Sequence, residues 1–269
     1  MYGLGLLSVF GLLIGSFLNV IIYRLPRELG WVNGRSKCPA CKTELRWYEL
    51  LPVISWIWLR AKCARCKAKI SVVYPLVELM NGGLWLGVGW WAISGGQLSG
   101  IGELGFEGIG LARLIAALIF VSTLLVIFWI DWFHYIIPDS TVVIVLLVGL
   151  SLGILGWVSG GDGIGWGERI GWGLGSMGFF GLLYFLTKGR GMGLGDVKLV
   201  LGLGLVLGAA MGVTLMAAFM LGAVVGVLLL GLKERKLGQP IPFGPFLVVG
   251  TLVGLVWGEG IVQWYLGGL

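Results

Sequence analysis

Charge is scarce in this sequence. Only 12% of its 269 residues are Asp, Glu, Lys or Arg, against about 25% in a soluble domain, which argues against an ordinary soluble globular protein. Histidine is rarer still. His134 stands alone, so neither an HExxH zinc site nor any metal centre built on two histidines can form. No G-x-S-x-G elbow accompanies His134, which removes one signature of serine hydrolases, and a lone histidine at a membrane interface reads as structural. The 49 glycines follow no G-x-y period, which excludes a collagen-like chain.

What the sequence has in quantity is apolar length. Hydrophobic residues make up 58% of the chain, and glycine in such a background lets helices approach closely in lipid. A spanning helix needs about 20 apolar residues. Uncharged stretches of that kind lie at 3–22, 73–93, 112–130, 140–158, 170–187 and 244–266. Residues 199–232 form a further uncharged interval, too long for one span and suited to two short ones turning near "GAAMG" at 208–212. The expectation is an all-α polytopic membrane protein of about eight transmembrane helices. The first stretch lacks a basic n-region and a small-x-small cleavage site, so it reads as a retained span rather than a signal peptide.

The basic residues test that count. With the amino terminus outside, 23–72, the Asp131 region, 188–198 and "KERK" at 233–236 face the cytosol. They hold every Lys and Arg except Arg113 and Arg169, while Glu103, Glu107, Asp162 and Glu168 fall outside. This is the asymmetry of the positive-inside rule. The net charge of +6 therefore reports orientation, and no separate basic domain invites nucleic acid.

Residues 24–72 are the one long hydrophilic segment, an insertion between the first and second spans. It separates residues 1–23, the first helix, from the membrane domain at 73–269. All four cysteines lie in it, as Cys38-x-x-Cys41 and Cys63-x-x-Cys66 with 21 residues between the pairs. Two such knuckles signal tetrahedral zinc. A segment of about 45 residues buries too little apolar surface to fold alone, which gives a metal staple a structural task. Lys37, Lys42, Lys62, Arg65 and Lys67 would favour thiolates. Four thiolates leave no open coordination position, so this zinc is expected to be structural. Redox dithiols are the competing reading, disfavoured by the cytosolic placement.

Two acidic motifs remain. "FWIDWFHYIIPDS" carries Asp131 at the carboxyl end of a span, where the helix dipole disfavours negative charge, so the residue needs a partner or a raised pKa. Asp139, after Pro138, reads as a helix cap. "GMGLGDVKL" at 191–199 opens the sixth span with Asp196, whose competing reading is also a cap. Its glycines would admit an extended peptide beside the acid. Lys198 reads as a lipid-phosphate anchor or, less favoured, a residue orienting the acids. Asp131 and Asp196 share the cytosolic face. Two carboxylates brought together hold one proton between them, so one can activate water while the other polarises a scissile carbonyl. A cation transporter using the same acids, or a zinc-stapled assembly factor without chemistry, are the other readings. No clear internal repeat supports the transporter.

Together "GSFLNVIIYRLP", the two C-x-x-C pairs, "ISVVYPLVEL", "DWFHYIIPD", "GMGLGDVKL" and "PFGPFL" resemble the bacterial prepilin peptidases, the type IV leader peptidase family of GxGD aspartic proteases. The resemblance implies cleavage of prepilin or pseudopilin leaders after a glycine on the cytosolic side of the bacterial inner membrane. It implies Asp131 and Asp196 as the catalytic pair, and in many members N-methylation of the new amino terminus by S-adenosylmethionine. The chain departs from the family at Leu50, where "ENIP" is common, and at Ala61, where "RG" is common. Both changes fall in the insertion that the family associates with methylation, which makes peptidase activity alone the alternative. Glu49 and Glu78 are polar candidates for that second site, each also able to pair with a nearby Lys or Arg.

Overall fold

In a computed structural model, residues 2–30, 34–160, 164–189, 192–232 and 241–267 are described. Asp162, Gly191 and "KERK" at 233–236, used above for charge placement and motif reading, lie outside them. The chain divides into two compact units, residues 1–90 and 91–269.

The first unit contains α1 (Tyr2–Arg24), the insertion with its short helix α2 (Ile54–Trp58), and most of α3 (Val73–Ser94). Helices α1 and α3 meet at glycine. A Cβ on Gly15 would fall 2.8 Å from the Glu78 Cα, and one on Gly11 2.8 Å from the Trp85 Cβ. Side-chain amides stitch this seam. Asn81 Nδ2 donates to the Gly11 carbonyl at 2.7 Å and Asn19 Nδ2 to the Tyr74 carbonyl at 3.0 Å. Helices in lipid gain little from burying apolar surface against each other, so close approach and interhelical hydrogen bonds hold them.

The second unit opens with an antiparallel ribbon, β1 (Gln97–Leu98) and β2 (Gly102–Glu103). Six helices follow: α4 (Gly108–His134), α5 (Asp139–Val158), α6 (Trp166–Leu186), α7 (Leu194–Leu207), α8 (Ala210–Gly231) and α9 (Gly244–Gly267). Helix α4 packs on α5 and α9, α7 on α5 and α6, and α8 on α9. Gly250, Gly254 and Gly258 line the α8–α9 seam, where added Cβ atoms would strike Thr214, Ala218 and Ala210. Among the described residues five helices are long and apolar enough to cross a membrane: α1, α4, α5, α8 and α9. Helix α7 is buried along most of its length and, at 14 residues, extends only about 21 Å. The turn between α7 and α8 falls at Gly208, whose φ of 55° suits glycine.

The two cations outside the basic segments have structural tasks. Arg169, 3% exposed, donates Nη1 to the Leu205 and Val206 carbonyls at 2.6 and 3.0 Å. It also donates Nη2 to Gly100 O at 2.8 Å and Nε to Ile164 O at 3.2 Å. It thus supplies a positive charge and donors at the carboxyl end of α7, where orphan carbonyls collect. Arg113 reaches the Ser159 hydroxyl at 2.9 Å.

Arg169→Leu is expected to destabilise the protein by about 3 kcal/mol, because carbonyls lose their donors inside the bundle. Arg169→Lys should recover only part of this, since an ammonium cannot reproduce the planar fork. Thermal unfolding in detergent checks both variants, and an unchanged Arg169→Leu transition would contradict the assignment.

Candidate active site and metal centre

Asp131 lies on the last full turn of α4, and the chain leaves the helix just after it. Tyr135 adopts a left-handed conformation, φ 58°, and sends its N–H back to the Asp131 carbonyl at 2.9 Å. The Asp131 side chain is buried. At a helix carboxyl end it needs a donor, and Gly244 provides one. The Gly244 N–H, at the amino terminus of α9, meets Asp131 Oδ2 at 2.9 Å. A side chain at Gly244 would displace the acid, because its Cβ would lie 2.6 Å from that same oxygen. The sequence displays "PFGPFL" but offers no role for it; that role rests on a contact spanning 113 residues.

Asp196 is the third residue of α7 and is also buried. Its Oδ2 accepts the Gly193 N–H at 3.1 Å. Asp196 is therefore not the N-cap that the simpler reading expected: Gly193 holds that position, and Asp196, at the third helical position, reaches back to its N–H. One oxygen suffices for that. Oδ1 is buried with no hydrogen-bond partner among the described residues. The two carboxylates lie close enough for the charge of Asp131 to bear directly on Asp196.

The surrounding motif residues divide differently from expectation. Asp139 does not cap α5. It is the first helical residue, with no side-chain cap bond, and its Oδ1 takes the Lys198 ammonium at 2.7 Å. Lys198 thus has a protein partner where a lipid phosphate was the favoured expectation. The glycines of GxGD were expected to make room for substrate, but Gly195 packs on the chain following Asp131. Its Cβ would stand 2.9 Å from the Ile137 Cβ. His134 is half-buried at the end of α4. A cavity of about 580 Å³ in the same unit is lined by Arg113, Glu168, Arg169 and Glu259, among others. Arg113 is 18 residues before Asp131, about 27 Å along α4, so this cavity is remote from the acids.

In the insertion the four cysteine sulfurs lie within 4.8 Å of one another and could hold a metal ion such as zinc. Sulfurs at the corners of a tetrahedron around zinc, with Zn–S near 2.3 Å, stand about 3.8 Å apart; Cys38 Sγ and Cys66 Sγ are separated by 3.8 Å. The two knuckles are built alike. Cys38 N–H bonds Thr43 O and Lys42 N–H returns to Cys38 O, while Cys63 N–H bonds Ala68 O and Lys67 N–H returns to Cys63 O. Lys42 and Lys67 both take positive φ, 58° and 59°. Hydrogen bonds from Thr43 pull the Cys41 thiol down to about 6, toward the ligating thiolate form.

Glu49 and Glu78 are both buried. Glu49 Oε2 accepts the Arg46 N–H at 2.6 Å and faces Arg65 at 3.8 Å. Glu78 forms no ion pair with a Lys or Arg among the described residues. Its Oε2 takes the Val53 N–H at 2.7 Å, and Ser16 hydrogen-bonds to it as well. Ala61, the family's usual glycine position, has φ 55°.

Two buried acids brought together by helices of the second unit have the chemistry of an aspartic peptidase. Two family models match the chain: the bacterial peptidase A24 N-terminal domain over residues 9–92 and the type IV leader peptidase family over 118–230. Proteins called prepilin leader peptidase/N-methyltransferase are similar throughout. That of Stutzerimonas stutzeri is 35% identical, covering 96% of this chain and 92% of the relative. That of Pseudomonas aeruginosa is 33% identical over 95% and 91%, and that of Bacillus subtilis 30% over 98% of both. No solved structure matches. The chain belongs to the type IV leader peptidase family.

Because Ala61 holds a left-handed conformation that glycine adopts freely, Ala61→Gly is expected to stabilise the insertion by up to about 1 kcal/mol. The Ile70 amide, bonded to the Ala61 carbonyl at 2.7 Å, reports on this. Its hydrogen exchange should slow by up to about fivefold; faster exchange would contradict the strain argument.

Proposed function

We propose that the protein cleaves the leader peptide of type IV prepilins or pseudopilins after glycine, at the cytosolic face of the bacterial inner membrane, with Asp131 and Asp196 as the catalytic pair. The observation that carries this reading is the pair itself. Two buried carboxylates come from distant segments, the charge of Asp131 bears on Asp196, and one of their oxygens, Asp196 Oδ1, is buried without a partner among the described residues. A pair so placed shares one proton. The ionised carboxylate takes a proton from water as it attacks the scissile carbonyl, and the protonated one donates to the carbonyl oxygen. Gly244 N–H and Gly193 N–H each hold one oxygen of the pair, fixing the acids before substrate arrives.

The remaining parts of the reading follow the basic-residue asymmetry and the cysteine geometry. Residues 1–23 form the first span, 24–72 a cytosolic four-cysteine zinc domain and 73–269 the membrane peptidase domain, with about eight crossings in all. Cys38, Cys41, Cys63 and Cys66 ligate one structural zinc, which closes the insertion and supplies no catalysis. Prepilin and membrane lipid are the partners. The relatives' names support subsequent N-methylation from S-adenosylmethionine. Glu49 and Glu78, the two polar candidates for that site, are instead engaged within the protein. Leu50 and Ala61 favour peptidase activity alone as the second reading.

Incubating purified protein with a prepilin peptide should give the shortened product. Asp131→Asn and Asp196→Asn are each expected to lower the cleavage rate by about a thousandfold or more while the fold is kept; near-full activity in either would defeat the assignment. The wild-type kcat/KM should be bell-shaped in pH, since full protonation removes the base and full ionisation removes the acid. Elemental analysis should find one zinc per chain, and a stable, metal-free native protein would overturn the staple.

A further inference from the structure

The insertion carries an apolar face that its own packing leaves open. Helix α2 is only five residues, yet Ile54, Ile57 and Trp58 are 60, 63 and 75% exposed. Positions i, i+3 and i+4 share one helical face. Trp47, in the preceding 3₁₀ turn, is 76% exposed. Residues 50–59 contain no charge. An apolar run of that length is too short to span and is typical of buried core, interfacial or re-entrant segments.

The position of this run is fixed by one hydrogen bond. Val53, immediately before α2, donates its N–H to Glu78 on α3, and Ser16 on α1 binds the same carboxylate. Ser16 is eight residues before Arg24, the end of α1, so the Val53 level lies about 12 Å inside that helix end. Helix α1 is one of the chain's membrane-length helices. Chain drawn to that depth needs internal partners for its backbone. Ser55, Ile57, Leu59, Arg60 and Ala61 N–H groups all reach nearby carbonyls, and Val53 has Glu78. The turn is strained to achieve this, for Val53 is β-branched yet has φ 59°. Beyond α2 the exposed cations Arg60 and Lys62 follow, with Arg46 before it.

We infer that residues 50–62 re-enter the membrane surface, seating the Ile54–Ile57–Trp58 face in the leaflet and setting Arg46, Arg60 and Lys62 against anionic phospholipid headgroups. Tryptophan favours this interface, having an apolar ring and a polar N–H, and cations next to it complement the negative leaflet surface. The glutamate on α3 then has a positional task, holding the hairpin at depth. The inference needs only that α1 crosses the bilayer and is independent of the peptidase reading.

Photo-crosslinking of the full chain in bilayer discs of phosphatidylglycerol and phosphatidylethanolamine tests it. With p-benzoylphenylalanine replacing Trp58, or in a second protein Ile57, illumination should yield phospholipid adducts in about tenfold excess over the same probe at Lys42, an exposed residue of the metal knuckle. Arg60→Gln should lower the phosphatidylglycerol share of the Trp58-site adducts by up to about fivefold. Lipid labelling at residues 57 and 58 no greater than at residue 42 would overturn the inference. So would labelling there that passes to added prepilin peptide, which would make the face a substrate-docking surface. Cleavage activity is measured on the same samples, so loss of one conclusion is distinguishable from loss of the other.

Discussion

A polar group that sits among apolar helices is costly unless it finds a partner inside the protein, because hydrocarbon offers none. That requirement shapes both units. Asn81 and Asn19 join α3 to α1 by donating to backbone carbonyls. Arg169 gathers carbonyls from the end of α7, from Gly100 and from Ile164. Glu78 binds the amide that leads into α2. In each case one side chain ties segments far apart in sequence. The glycines are complementary, since they bring backbones near enough for such bonds to form.

The acid pair obeys the same rule while leaving one oxygen out of it. Two of the four carboxylate oxygens are bound by backbone amides, those of Gly244 and Gly193. Those amides cannot be removed by changing a side chain, so they hold the acids rigidly without adding a titrating neighbour. The Lys198–Asp139 pair lies nearby but is exposed on both sides, where water screens it. It links the segment after Asp131 to the helix of Asp196 and adds little energy of its own.

Much of this was legible in the sequence. Apolar stretches marked the positions of the long helices, the spacing of Cys38, Cys41, Cys63 and Cys66 marked a convergent cluster, and the length of 199–232 required a turn where Gly208 provides it. What was not legible depends on long-range contact. Asp139 after proline has the pattern of a cap, and only the approach of α7 reveals Lys198 as its partner. The GxGD glycines suggested open space, yet Gly195 is filled by Ile137. Arg113 and Arg169 stood apart from the basic segments in the sequence, and only the folded chain reveals the hydroxyl and carbonyls they bind. Local patterns specify elements; they do not specify which element will cover them.

Gly244 shows the cost of that limit and what it means for assembly. Asp131 stands at the wrong end of α4 for a negative charge, and nothing within α4 corrects it. The correction comes from the amino terminus of α9, whose orphan N–H groups and dipole favour an anion. Helix α9 packs on both α4 and α8. The Asp131 side of the site is therefore completed only when α9 docks. A chain ending before residue 244 would keep both aspartates and still lack the amide that positions Asp131 Oδ2. The geometry of the acid pair is a property of the whole second unit, even though two short motifs announce it.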